Sequence, residues 1–131
     1  MHVTTPEELM AAAKAAAANA YIPYSGFRVG AAVLDADGSV TVGCNVENAG
    51  YGSTICAERT ALVSAVAQGR KQPTALAVYT EPGVSPCGSC RQVMVELGPT
   101  MQVFLGNAEG RLVKTSIAEL LPNAFINFDR E

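Results

Sequence analysis

The spacing of apolar and polar positions changes several times along the chain, and each change marks an element. Thr5 to Asn19 reads as a first helix: its alanine run favours helix, Thr5 can cap it, Pro6 suits the first turn and Glu8 completes a capping box. Tyr21-Ile22-Pro23-Tyr24-Ser25-Gly26 reads as a turn or loop. Phe27 to Leu34 then alternates as a strand, Asp37-Gly38 makes a hairpin turn, and Val40 to Asn45 returns as a second strand. Val46 to Ile55 is a polar, glycine-containing loop. Cys56 to Gln68 is a helix with Gly69 just past its end. Pro73 precedes a strand over Thr74 to Tyr79, and Glu81 to Ser85 is a second loop. Pro86 opens a helix that runs to Leu97 and stops at Gly98. Met101 to Leu105 and Leu112 to Thr115 are strands around a turn at Asn107 to Gly110. Ser116 and Glu119 form a capping box for a short helix ending before Pro122. This order predicts a layered α/β domain with a mixed sheet of about five strands.

The 131 residues suit one domain, 1–131, and no linker, repeat or charged tail divides them. Hydrophobic residues make up 49% of the chain, enough apolar material for a core. The net charge is −3 and the nine basic residues are scattered, which argues against a nucleic-acid partner. The acidic start and the interruption of the Met10–Ala20 stretch by Lys14 and Asn19 predict neither an export signal nor a membrane span. The expected location is the cytoplasm. Cysteines stay reduced there, so the four present point to metal or chemistry rather than disulfides.

Three of those cysteines and one glutamate carry the chemistry: Cys56-Ala57-Glu58, then Pro86-Cys87-Gly88-Ser89-Cys90. Three thiolates can hold a zinc ion and leave its fourth position open to water, whose pKa zinc lowers to about 7. Glu58, two residues from one ligand, sits where it can move protons. Both cysteine motifs fall at predicted helix starts, where unpaired N–H groups and the helix dipole favour thiolate. Three thiolates would leave the site net negative and make bound water a poorer acid. Arg59 could offset this by hydrogen bonding to sulfur, and so could Arg91. Cys-Gly-Ser-Cys alone could be a redox dithiol, but that reading leaves Cys56-Ala57-Glu58 unexplained. Cys44 could close a structural zinc site, although its place in a predicted strand suits core packing better. Glu58 could be an ordinary first-turn glutamate, and a noncatalytic zinc module would use the same cysteines.

At these residues the chain resembles the zinc nucleoside and nucleobase deaminases, whose signature is [His/Cys]-x-Glu followed by Pro-Cys-x-x-Cys. Cysteine in the first motif resembles the small, homotetrameric cytidine deaminases. Tyr24-Ser25-Gly26-Phe27-Arg28-Val29-Gly30-Ala31-Ala32, Gly43-Cys44-Asn45-Val46-Glu47-Asn48, Cys56-Ala57-Glu58-Arg59-Thr60-Ala61 and Leu120-Leu121-Pro122-Asn123-Ala124-Phe125 extend the likeness to nearly the whole chain. The resemblance implies a three-layer α/β/α fold and one zinc ion per subunit, held by Cys56, Cys87 and Cys90. It implies Glu58 as proton shuttle, Asn45 and Glu47 on the ribose 3′-hydroxyl, Phe27 against the pyrimidine ring and the Ala57 N–H on the base carbonyl. Tyr51 and Phe125 would complete a neighbouring subunit's pocket. On pattern alone Phe27 could be core, and Asn45 and Glu47 ordinary loop residues. The implied reaction is hydrolytic deamination of cytidine and 2′-deoxycytidine. Deaminases of nucleotides and of tRNA or DNA bases usually have His in the first motif, with basic residues for phosphate. The peptidyl-nucleoside antibiotic deaminases share the cysteine form, but Asn45-Val46-Glu47-Asn48 favours a plain nucleoside.

Overall fold

The computed structural model describes residues 3–81 and 88–122. Chain order is α1 (Pro6–Ala17), β1 (Val29–Asp35), β2 (Val40–Cys44), α2 (Ala57–Ala67), β3 (Pro73–Thr80), α3 (Gly88–Leu97), β4 (Gln102–Gly106), β5 (Leu112–Ser116) and α4 (Ile117–Leu120), with a 3₁₀ turn at Tyr51–Ser53. The strands form one sheet in the order β2-β1-β3-β4-β5. Only β3 and β4 run parallel, with Ala77 opposite Phe104; α3 lies in the crossover between them. The other neighbours are antiparallel.

Alternation along the strands separates two cores. On one face α1 places Leu9 and Ala13 against Ala32, Ala77 and Phe104. On the other, Ala57, Ala61 and Leu62 of α2, Met94 and Val95 of α3, and Ile117 and Leu120 of α4 pack on Val33, Leu76, Val78 and Val103. The result is the three-layer α/β/α arrangement with a mixed five-stranded sheet. Among the described residues no helix is long and apolar enough to cross a membrane.

Two glycines set the spacing of the layers. A Cβ on Gly30 of β1 would stand 1.9 Å from the Ala13 carbonyl oxygen of α1. A Cβ on Gly43 of β2 would stand 2.5 Å from the Ala61 nitrogen and 2.7 Å from the Ala57 oxygen of α2. Helix backbone therefore lies directly on strand backbone at both places.

The expected helices and strands are present among the described residues, with boundaries displaced by local chemistry; the expected loop at Glu81 to Ser85 lies outside them after Glu81. Thr5 does cap α1 in a full capping box with Glu8. Gly69, φ 82°, follows α2 as its sequence position requires. β1 begins at Val29 rather than Phe27, and β2 ends at Cys44 rather than Asn45, for a shared reason: beyond one last backbone bond, from the Asn45 N–H to the Val29 carbonyl at 3.3 Å, the Asn45 side chain takes over the pairing. Its Oδ1 accepts the Val29 N–H at 3.0 Å, and its Nδ2 donates to the Phe27 carbonyl at 2.8 Å. The capping box at α4 is half formed. Ser116 Oγ accepts the Glu119 N–H at 3.2 Å, but the Glu119 carboxylate takes the Thr115 and Ser116 hydroxyls. The loop after β2 holds more structure than its composition predicts: isolated bridges join Tyr21 to Val46 and Val46 to Ile55. The expected helix start at Pro86 lies outside the described residues.

Candidate functional site

Cys56 is the N-cap of α2, in extended conformation (φ −73°, ψ 156°), and its side chain makes no capping hydrogen bond. A serine or aspartate there would turn its oxygen onto the helix's own N–H groups; the Cys56 side chain does not. Ala57 and Glu58 form the first turn, both buried, and Cys90 lies in the first turn of the described α3, 1% exposed. Donor atoms of Cys56, Glu58 and Cys90 lie within 4.8 Å of one another. Two sequence-distant helix starts thus meet at one point, where Glu58 and Cys90 are buried and Cys56 half-buried.

That donor set fits zinc. Two thiol sulfurs with a carboxylate beside them are ligand chemistry that suits zinc rather than magnesium or calcium. Cys87, the expected third ligand, lies outside the described residues. Cys44 is half-buried at the end of β2, and among the described residues it is not part of the cluster. No disulfide joins Cys44, Cys56 or Cys90.

Glu58 is 4% exposed, and loss of water pushes its pKa up to about 7. A backbone hydrogen bond at its own residue opposes the rise, Cys56 adds to it, and the Arg59 charge draws it back. A divalent cation at the cluster would act in the same sense as Arg59. Arg59, half-buried, therefore bears on the site through Glu58. Arg91 uses its Nη1 on the Leu120 carbonyl at 2.6 Å, which ties α3 to α4.

The other expected residues fall into a second group. Phe27 is 39% exposed and precedes β1, so it is not a core strand residue. Asn45, 7% exposed, grips the backbone on both sides of Arg28, as described above. The Glu47 carboxylate receives the N–H groups of Tyr24 and Ser25 at 3.0 and 3.1 Å. Ala57 presents its backbone at the start of α2, beside Glu58. Tyr51 opens the 3₁₀ turn; Phe125 lies outside the described residues. Sequence reasoning assigns no role to Ser25, whose hydroxyl donates to Glu47. The available signals were its place within the family-like stretch Tyr24 to Ala32 and ahead of Gly26 in a turn.

Known proteins carry the same pattern. Residues 3–106 match the family model described as the cytidine and deoxycytidylate deaminase zinc-binding region. The chain is 55% identical over 109 residues to a cytidine deaminase of Halalkalibacterium halodurans, across 81% of this chain and 83% of that protein. It is 50% identical over 126 residues to the cytidine deaminase of Sporosarcina psychrophila, across 94% and 93%. The solved cytidine deaminase of Burkholderia pseudomallei aligns with a TM-score of 0.90 at 54% identity, covering 92% of this chain and 99% of that one. The Mycobacterium tuberculosis enzyme aligns with a TM-score of 0.78 at 41% identity, covering 89% and 94%. Agreement of that extent, over both sequence and backbone, leaves one assignment: the chain belongs to the cytidine and deoxycytidylate deaminase zinc-binding family and is an enzyme.

Proposed function

We propose that this enzyme hydrolyses cytidine and 2′-deoxycytidine to the corresponding uridines and ammonia. The observation that carries the reading is the meeting of Cys56, Glu58 and Cys90 at two helix starts. Cys56, Cys87 and Cys90 hold one zinc ion per subunit. When bound, zinc supplies Lewis acidity that brings the pKa of a coordinated water to about 7. Glu58 takes the proton from water and delivers it to ring N3, which makes carbon 4 more electrophilic. Water oxygen adds at carbon 4; Glu58, ionised again, takes the remaining proton of that new hydroxyl and passes it to the departing amino group, so that the carbon 4 carbonyl forms as the C–N bond breaks, one water is consumed and one ammonia released. A carboxylate suits the task because it acts as base and then as acid. Burial keeps bulk water from competing for that proton.

Phe27 packs on the pyrimidine ring, and the Ala57 N–H, at an uncapped helix start, binds the base carbonyl. Asn45 and Glu47 receive the ribose 3′-hydroxyl. The scattered basic residues favour a nucleoside over a nucleotide. The functional unit is a single domain over residues 1–131 that acts as a cytoplasmic homotetramer, with Tyr51 and Phe125 completing a neighbouring subunit's pocket. Support for association comes from exposed apolar side chains: Val46 and Ile55, paired across a bridge, are 40% and 39% exposed, and Val63 is 47% exposed.

The test is incubation of the zinc-loaded protein with cytidine, deoxycytidine and cytidine monophosphate. A fall in absorbance as uridine forms from both nucleosides, with negligible turnover of the monophosphate, is the expected result. Zinc-replete protein that turns over neither nucleoside sinks the reading.

A further inference from the structure

One carboxylate organises the segment that joins α1 to β1. Glu47 Oε1 accepts the N–H groups of Tyr24 and Ser25, two successive backbone donors that form an anion nest. Glu47 Oε2 accepts the Ser25 hydroxyl. The oxygen of that same hydroxyl accepts the Phe27 N–H at 2.9 Å. Gly26, between them, has φ +68°, a conformation L side chains rarely adopt, and its N–H returns to the Ile22 carbonyl at 3.1 Å. Ser25 Oγ is thus a single atom bonded both to the Glu47 carboxylate and to the Phe27 backbone. Ser25 and Glu47 also line one open cavity of about 310 Å³ with Tyr24, Asn48, Ala49 and Thr54.

The donor count has a consequence. A carboxylate offers about four acceptor positions. The Tyr24 and Ser25 N–H groups fill those of Oε1, and the Ser25 hydroxyl fills one of Oε2. One position on Oε2 remains. We propose that Ser25 is a positioning residue: its hydroxyl fixes the Glu47 carboxylate so that this last acceptor position takes a sugar hydroxyl of the nucleoside, and it ties that setting to Phe27 at the base. The proposal rests on the reading of Glu47 as a sugar-binding residue. The hydrogen bond from Ser25 is also the leading cause that holds the Glu47 carboxyl below its ordinary range, so the acceptor stays ionised.

The experiment compares Ser25→Ala, Ser25→Thr and Glu47→Ala with the parent zinc enzyme. Substrates are cytidine and 3′-deoxycytidine, and kcat, KM and the thermal midpoint are measured for each. Ser25→Ala is expected to raise KM for cytidine about tenfold, the scale of one hydrogen bond to a charged group, with kcat within about twofold. On 3′-deoxycytidine the same change should shrink to about twofold, because the hydroxyl that reads the carboxylate is gone. Ser25→Thr, which keeps the hydroxyl, should stay within about threefold of the parent. Selective weakening of cytidine by Glu47→Ala but not by Ser25→Ala overturns the role of Ser25 and leaves the sugar reading standing. Equal losses on both nucleosides in Ser25→Ala, with a lowered thermal midpoint, mark a merely structural serine and overturn it too. Equal losses on both in Glu47→Ala remove the sugar reading and this proposal with it.

Discussion

Glu58 shows how surroundings change the chemistry of one residue. In the first turn of an exposed helix it would be a routine dipole partner. Here water is nearly absent, two thiols lie within reach and its pKa rises to about 7. Glu58→Gln preserves the shape and removes the group proposed to shuttle protons. The variant should keep its zinc by elemental analysis and lose about 10²–10⁴-fold in kcat, the usual scale of general acid–base catalysis. Near-parental turnover would exclude Glu58 from the proton path. Glu47 is the opposite case, a partly exposed carboxylate held ionised by the Ser25 hydroxyl and the backbone of the 24–25 turn. Its folded pKa lies below the ordinary 4.5, so its support of the turn is complete above that pH and fades as pH falls through the lowered value. Carboxyl carbon NMR should give a midpoint for Glu47 below 4.5. A midpoint at or above that value in the parent, or no upward change in Ser25→Ala, would contradict the hydrogen-bond assignment.

Among the elements, α2 carries the heaviest responsibility. Its N-cap is Cys56, its first turn holds Ala57 and Glu58, and its position over the sheet depends on the missing side chain of Gly43. Gly43→Ala would force a methyl against the Ala57 oxygen and Ala61 nitrogen, both backbone atoms that cannot swing aside. The helix must shift. Overpacking of this kind costs about 1–3 kcal/mol, which should appear as a lower thermal midpoint. Displacement of about 1 Å at the cluster should also cut kcat by about 10²-fold, out of proportion to the stability loss. Parental kcat in a folded Gly43→Ala enzyme would show that α2 is not seated by this contact. α1 meets β1 at Gly30 in the same way, yet it carries none of the site residues; a shift there should tell mainly on stability.

At the scale of the whole molecule, the site joins pieces that are independent in sequence. α2 packs on β1 and β2, α3 follows β3, and their first turns converge on one metal-binding cluster. An ion bound there bridges the two helices, so its binding energy becomes folding energy. Removal of zinc by a strong chelator should lower the thermal midpoint and abolish turnover, and both should return when one equivalent of zinc per chain is restored. An unchanged midpoint after complete removal of metal would show that the two helices are held together without it.

Much of this was legible in the chain. The capping box at Thr5 and Glu8, the Asp37-Gly38 turn and Gly69 after α2 are local signals, each decided by residues within a few positions of one another. The Cys-Ala-Glu and Cys-Gly-Ser-Cys motifs likewise pointed to a metal cluster, because their chemistry resides in residue type and near spacing, and Cys56, Glu58 and Cys90 do come together. Other features had no local signature. Asn45 ends two strands by bonding to Phe27 and Val29, and Glu47 gathers Tyr24 and Ser25, contacts that form only after the β1–β2 hairpin brings distant segments side by side. Glycines 30 and 43 look like ordinary strand residues until helices rest on them. Side-chain identity and short spacing determined what the protein can bind; the packing of helices on the sheet decided which groups meet, how dry they are and which hydrogen bonds remain open.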